Sequence, residues 1–445
     1  MLRQTTVKNG KVRGLPGNDP RITAYKGIPF AAPPVGELRW KAPRPCADWD
    51  GILDAYQFGP VSVQDQPAVG TDIYCKEWHV DPDIPMSEDC LYLNVWTPAK
   101  SKDEKLPVLL WIFGGGFQWG YTAEMEFNGE RLARRGIVVV SVNYRLAALG
   151  FLAHPDLSSE SPEAPANFGL LDQQSGLRWV KENIAAFGGD PDNITIAGQS
   201  AGGGSVLNQI TNKDNFGLIK GAVIMSGMIR FPGNGDDILL PVTLEKAEEK
   251  GKEFLEYLGV KSIEEARKLD AFFIRDKYGE WAQNHPRFAP VQDGVNYKED
   301  ALISFEENKI NGIPVMAGYT TDEFFFEGTN VVEKTVKESC AKAVDSGDSP
   351  VYVYEFGTDI PGEDNPGNFH SVDLWFWFDN VIKCWRPMRG RHFELARQMG
   401  NYLASFVKTH DPNCIDNDGT QMPVWKPFGE EKNLMKFTSE GAVPS

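Results

Sequence analysis

Cysteine is scarce in this chain of 445 residues: six of them cannot staple a fold of this length, and none follows the spacing of a zinc site. The loop between Cys75 and Cys90 is short enough to bridge, and the sequence leaves open a disulfide or two buried thiols. Long apolar runs are also missing. The richest, Leu106 to Phe117 and Ile137 to Val142, fall short of the ~18 residues a membrane-spanning helix needs and are broken by glycine or polar residues. Positive charge is in deficit, with 45 Lys and Arg against 62 Asp and Glu and a net charge of −17. That balance leaves no basic stripe for phosphates and opposes nucleic acid and anionic membrane surfaces as partners. The first residues, MLRQTTVKNGKVRG, lack a basic head followed by an apolar stretch, so no secretory signal is read there and the expectation leans to the cytoplasm. No internal repeat and no low-complexity tract occurs.

What is present is an alternation of two periodicities. Val7 to Val12 carries the Asn9-Gly10 pair that favours a tight hairpin, and Leu91 to Trp96 alternates as a half-buried strand does. Beyond them come short, predominantly apolar runs: Val108 to Phe113, Ile137 to Val142, Ile194 to Ala197, Ala222 to Met225, Ile313 to Ala317 and Val351 to Phe356. Runs of this kind suit strands covered on both faces. Helical periods separate them; Leu177, Val180, Ile184 and Phe187 are spaced to share one helix face. A charged stretch from about Asp236 to Glu307, most polar over Leu244 to Lys250, reads as helix with a solvated face. The expectation is an α/β chain with a mostly parallel sheet, helices on both faces and an N-terminal antiparallel hairpin, in one domain over 1–445. Its functional residues are expected in loops beyond the carboxyl ends of the strands.

Two glycine-rich turns carry the chemistry. Gly198-Gln199-Ser200-Ala201-Gly202 follows the buried run Asn193 to Ala197 and precedes a helical stretch, the order of strand, sharp turn and helix that exposes a serine at the apex. A serine hydroxyl needs a base to take its proton and donors to receive the negative charge of a tetrahedral intermediate. Trp111 to Phe117 ends a strand in Gly114-Gly115-Gly116, whose N–H groups, at Gly115 and Gly116, can serve as those donors together with the N–H of Ala201. A phosphate loop is the competing reading of the glycines, but neither Gly-Lys-Ser/Thr nor a dinucleotide fingerprint follows. No cofactor and no metal is expected.

With these turns stand further blocks: Gly27-Ile28-Pro29-Phe30-Ala31, Ser87 to Trp96, Asn143-Tyr144-Arg145 with Leu149-Gly150-Phe151, Gly169 to Gln173, and Phe187 to Pro191. Together they resemble the type-B carboxylesterases, the family of cholinesterases and bacterial aryl esterases, over nearly the whole chain. The resemblance implies an α/β-hydrolase fold and a serine carboxylesterase working through an acyl-enzyme, with Ser200 as nucleophile. It selects Glu323, in Asp322-Glu323 after Ile313 to Gly318, as the acid. Chain order in this fold is serine, acid, histidine, which leaves His370, His392 and His410. His392 sits in a helical stretch and His410 in a surface-like turn, and the loop Gly367 to Ser371 resembles the family's histidine loop, so His370 is the expected base. Ser226, in Met225-Ser226-Gly227, matches a serine that hydrogen-bonds near the acid.

Two departures from the family pattern stand out. Gln199 replaces the glutamate common before the nucleophile, which implies a weaker preference for cationic substrates, and Phe113 replaces a histidine. Aromatics crowd the three loops at Phe117, Trp119 and Tyr121, at Phe324 to Phe326, and at Trp375 to Phe378. Core packing accounts for most of them; any that line the cleft favour short-chain or aryl esters, hydroxycinnamoyl esters among them, over long lipids. The alternatives are a catalytically silent recognition module on the same fold and a thioester or lactone hydrolase.

Overall fold

A computed structural model describes residues 1–230, 242–416 and 418–445. The hairpin at the start joins β1 (Gln4–Val7) to β2 (Gly10–Arg13). Val7 pairs with Gly10, so Lys8 and Asn9 are the turn residues and Gly10 opens the second strand. With Ile52–Asp54, the hairpin forms a small separate sheet.

Among the described residues the main sheet has 11 strands. In chain order they are β3 (Leu15–Pro16), β4 (Thr23–Pro29), β5 (Tyr92–Thr97), β6 (Leu106–Ile112), β7 (Val138–Val142), β8 (Gly189–Gln199), β9 (Gly221–Met225), β10 (Val315–Thr320), β11 (Val351–Gly357), β12 (Leu434–Thr438) and β13 (Gly441–Pro444). Across the sheet they run β13-β12-β11-β10-β9-β8-β6-β7-β5-β4-β3. From β7 to β12 every pairing is parallel; the antiparallel pairings lie at the edges. The apolar runs of the sequence are these inner strands, buried along β7, β9 and β10 because helices cover both faces.

Helix α1 (Phe168–Asn183) carries Leu177 and Val180, but Ile184 and Phe187 fall in a tighter 3-10 turn ended by Gly188 at φ 79°. All four side chains are buried as expected; the α-helix simply stops before the last two. The charged stretch divides into helices Leu244–Leu258, Ile263–Ala266, Ala271–Trp281 and Ala301–Glu306, with irregular chain from 282 to 290. Its first residues, 236–241, lie outside the described residues. All six cysteines are free thiols, so Cys75 and Cys90 are unbridged. No helix among the described residues is long and apolar enough to cross a membrane.

The segment after β7 braces the loops of the central strands. Tyr144 stacks on Phe113 with ring centroids 4.5 Å apart and donates its hydroxyl to the Phe113 carbonyl at 2.9 Å. Arg145 grips Asp172 through Nη2 at 2.7 Å and Nε at 2.8 Å, and its backbone N–H donates to the same carboxylate at 3.0 Å. The two side chains are 3% and 0% exposed, so the pair is desolvated and each charge depends on the other. Burial pushes the Asp172 carboxyl up, against the pull of Arg145. Replacing Asp172 with Asn strands the guanidinium, and urea unfolding is expected to register a loss of about 3–5 kcal/mol. A loss under about 1 kcal/mol would mean that Arg145 finds other acceptors, such as the Phe168 carbonyl.

Candidate active site

Five inner strands deliver their following loops to one place. β6 runs into Gly114-Gly115-Gly116, β8 into Ser200, β9 into Ser226, β10 into Glu323 and β11 into the loop of His370. Loops at the carboxyl ends of adjacent parallel strands converge by topology alone.

Ser200 occupies φ 56°, ψ −126°, outside the regions open to L-residues and a sign of stored strain of about 1–3 kcal/mol. Its neighbours explain how the chain reaches this conformation. A Cβ on Gly202 would lie 2.2 Å from the Ile112 carbonyl oxygen, and one on Gly198 would lie 2.3 Å from that of Gly202. Only glycine lets strand and helix meet this closely. Ser200 N–H donates to Met225 O at 2.8 Å, which ties the turn to β9, and helix α2 (Ala201–Thr211) departs at once.

Glu323 is buried and fully engaged. Its Oε1 accepts from Ser226 Oγ at 2.9 Å and from the Thr320 N–H at 2.8 Å, while Oε2 meets His370 Nδ1. The adjacent Asp322 points elsewhere: it accepts from the Asn368 N–H at 2.8 Å and from Asn368 Nδ2 at 3.1 Å, pinning the loop that carries His370. The other face of the imidazole meets Phe324, with centroids 4.3 Å apart. With the Nδ1 proton directed to Glu323, Nε2 carries a lone pair, and the Gln199 amide lies 3.2 Å from it. Ser200 Oγ makes no hydrogen bond among the described residues. His392 lies on helix Gly390–Thr409 with Nε2 against the Asp359 carbonyl, and His410 caps that helix.

The N–H groups of Gly115, Gly116 and Ala201 find no acceptor within the described chain. Gly115 and Gly116 have φ of 108° and 60°, and a Cβ on Gly115 would come 2.1 Å from the Trp119 carbonyl oxygen. Ala201, at the first position of α2, has an orphan N–H as helix geometry requires. The three glycines, Ser200, Ala201 and His370 border one cavity of about 350 Å3. Ser200 and Ala201 also border a second cavity of about 80 Å3, walled by Phe117, Leu207, Ile229 and Leu302. Among the described residues no cluster of three His, Cys, Asp or Glu side chains is arranged to hold a metal.

Several lining residues were not foreseen from the sequence. Tyr74, Trp78 and His79 reach the larger cavity from the segment between Cys75 and Cys90 and its approach, and Glu124 and Glu126 reach it from the chain beyond the three glycines. Of the aromatics singled out earlier, Trp119 and Phe324 line this cavity and Phe117 the smaller one, whereas Trp375 to Phe378 are core. Phe325 and Phe326 are exposed.

Asp373 is another residue that no motif singles out. It is fully buried three residues after His370 and accepts from Tyr354 Oη at 2.8 Å and Trp377 Nε1 at 3.2 Å. Burial first, then the charge of Glu323, push its carboxyl up to about 7. In the unfolded chain the same group titrates near 3.9. The folded state therefore holds the extra proton between these limits, and the stability this confers is complete below about pH 4 and fades as pH rises towards about 7. Asp373→Asn imitates the protonated acid at every pH. Relative to the parent, its stability in urea is expected to rise by about 3–4 kcal/mol from pH 4 to pH 7.5; parallel curves for the two proteins would refute a raised Asp373.

Known proteins resemble this chain over most of its length. The carboxylesterase family model matches residues 2–344 and 329–444. Para-nitrobenzyl esterase of Bacillus subtilis (strain 168) is 32% identical over 487 aligned positions, covering 96% of this chain and 92% of that protein. Fumonisin B1 esterase of Sphingopyxis macrogoltabida is 35% identical, covering 73% of this chain and 56% of that protein. Among solved structures, a PNB esterase superposes with a TM-score of 0.85 at 28% identity, covering 100% of this chain and 97% of the other. The family model and the coverage of the Bacillus relative establish that this chain belongs to the carboxylesterase family, with the α/β-hydrolase fold and the ester-hydrolysing activity of a serine carboxylesterase.

Proposed function

We propose that the protein hydrolyses short-chain carboxylic esters of bulky or aryl alcohols, with Ser200 as nucleophile, His370 as general base and Glu323 as its acid. The observation that carries this reading is the buried chain Ser226–Glu323–His370 ending beside the strained turn of Ser200. Glu323 fixes the imidazole with Nδ1 protonated, so Nε2 is the atom free to take the Ser200 proton. For that step the serine hydroxyl displaces the Gln199 amide from Nε2, a supporting role for Gln199 in holding the resting imidazole. Attack on the ester carbonyl produces an oxyanion, which the N–H groups of Gly115, Gly116 and Ala201 stabilise by about 3 kcal/mol each. The imidazolium returns its proton to the departing alcohol, leaving an acyl-enzyme on Ser200. Water activated by the same imidazole then releases the acid and restores the serine. Ser226 and the Thr320 N–H hold Glu323 oriented throughout.

Proton return to the leaving oxygen requires that oxygen to face His370. His370 borders the larger cavity and not the smaller. The alcohol therefore occupies the space of about 350 Å3 lined by Tyr74, Trp78, Trp119 and Phe127, and the acyl chain turns into the apolar space of about 80 Å3. This assignment favours a small acyl group and an aromatic or bulky alcohol.

Two measurements test the reading. Ser200→Ala is expected to cut kcat on para-nitrophenyl acetate by about 10⁶-fold with the unfolding midpoint preserved; near-normal turnover would remove Ser200 from the mechanism. Glu323→Gln is expected to cut kcat by about 10⁴-fold with KM little changed. Asp322→Asn should instead lower stability by about 1–3 kcal/mol through its Asn368 contacts. A large kcat loss in the Asp322 variant alone would transfer the acid's role to that residue.

A further inference from the structure

Helix α2 carries three glycines in a row, Gly202 to Gly204, and packing demands only the first two. A Cβ on Gly202 would lie 2.2 Å from the Ile112 carbonyl oxygen, and one on Gly203 would lie 2.8 Å from the Gly227 Cα. Gly204 is different. The nearest atoms to a Cβ there would be Phe117 Cζ at 3.8 Å and the Gly227 carbonyl oxygen at 4.0 Å, ordinary van der Waals contact. Its backbone is helical, so a side chain would meet no conformational strain. Glycine inside a helix lowers stability relative to alanine, because it loses more freedom on folding. Neither the fold nor the turn of Ser200 explains its presence. What it leaves open is the smaller cavity. Ser200, Ala201, Gly204, Leu207 and Asn208 all border that space, and their spacing puts them on one face of the helix. The space is therefore a groove that starts at the nucleophile and follows α2, with about 12 Å of rise between Ser200 and Asn208. Gly204 stands at its midpoint, and the two residues nearest its absent Cβ are themselves walls of the groove.

We infer that Gly204 determines acyl specificity: having no side chain, it opens the groove along α2 to linear butanoyl and hexanoyl chains, which are preferred to acetyl. The inference rests on the proposed esterase reading, in which the acyl group enters the smaller cavity. An acyl chain leaving the ester carbonyl at Ser200 passes over Gly204 and under Phe117, then meets Leu207 one turn further along the helix. Two methylenes taken out of water in this way raise kcat/KM by about tenfold. The groove ends in polar groups. Asn208 donates its Nδ2 to the Gly204 carbonyl at 2.8 Å, and Asp300 accepts the Leu302 N–H at 2.8 Å and the Ile303 N–H at 3.1 Å. Both side chains border the groove and are half-exposed, so methylenes beyond hexanoyl meet polar surface and gain little. A methyl group at position 204 narrows the passage beside Phe117, and an isopropyl group closes it.

Para-nitrophenyl acetate, butanoate and hexanoate keep the leaving group constant and probe the groove in the full chain. The parent is expected to show a kcat/KM on butanoate about tenfold above that on acetate. Gly204→Ala is expected to lower the butanoate-to-acetate ratio by about fourfold, and Gly204→Val to bring it to about one or below. Hexanoate should fall further than butanoate in both. Gly204→Ala is also expected to raise the urea midpoint, because alanine is the better helix former. Loss of the longer esters from a more stable protein separates a steric effect from damage to the fold. Unchanged ratios in both variants would overturn the inference, and so would a parent ratio of one or below. An equal loss on all three esters would also overturn it, by moving the effect to the turn of Ser200. A second series holds the acyl group at acetyl and lengthens the alcohol from ethyl to butyl. If Gly204→Val loses only the butyl ester and keeps its acyl ratios, the alcohol occupies the smaller cavity; the inference then falls while the esterase reading stands. Failure of the parent to cleave any of these esters would instead strike the esterase reading itself.

Discussion

The central strands β6 and β8 approach the start of helix α2 so closely that a single methyl group at Gly198 or Gly202 would overlap a backbone carbonyl. That contact forces the chain to reverse within one residue, and the residue at the apex takes a conformation that an L-amino acid adopts only when its surroundings dictate it. The surroundings do so here from several sides. Met225 holds the Ser200 N–H, the helix continues from Ala201, and the sheet fixes the strand before it. Strain stored in this way keeps the serine hydroxyl outside the hydrogen-bonding register of the sheet. It also points the first N–H of the helix at the same space as the glycine loop after β6.

Around this turn the acidic side chains meet different partners. Glu323 has its Oε1 satisfied by Ser226 and the Thr320 N–H, and Oε2 given to the imidazole. Asp373, the next carboxyl in the same buried neighbourhood, is held towards its neutral form by burial and by Glu323 itself. Asp322 is spent on the backbone of the histidine loop. Asp322, Glu323 and Asp373 thus have three different fates, decided by burial and by the donors each one meets.

The cavity repeats this division of labour on a larger scale. Serine stands at the junction of a small apolar space and a larger one walled by aromatics and by two buried acids. His370 borders only the larger space.

The sequence by itself determined the sheet and the turns. Runs such as Val138 to Val142 and Ala222 to Met225 have no polar face and are stable only as strands covered on both sides, and Gly-Gln-Ser-Ala-Gly after such a run admits few backbone solutions. Chain order and family likeness then singled out Glu323 and His370, which the folded chain brings together across 47 residues. Other features depended on distance in space and left no periodic or motif signal. Glu126 and His79 are far apart in sequence and in no pattern, and they share a wall only because the loop before β5 folds over the loop after β6. Asp373 reads as one acid among 62 Asp and Glu until burial strips its water away. The free thiols of Cys75 and Cys90, and the Gln199 amide at the imidazole, were likewise decided by tertiary structure. Local sequence fixes which way a strand or turn can go, while the environment of a side chain is set by whatever the rest of the chain packs against it.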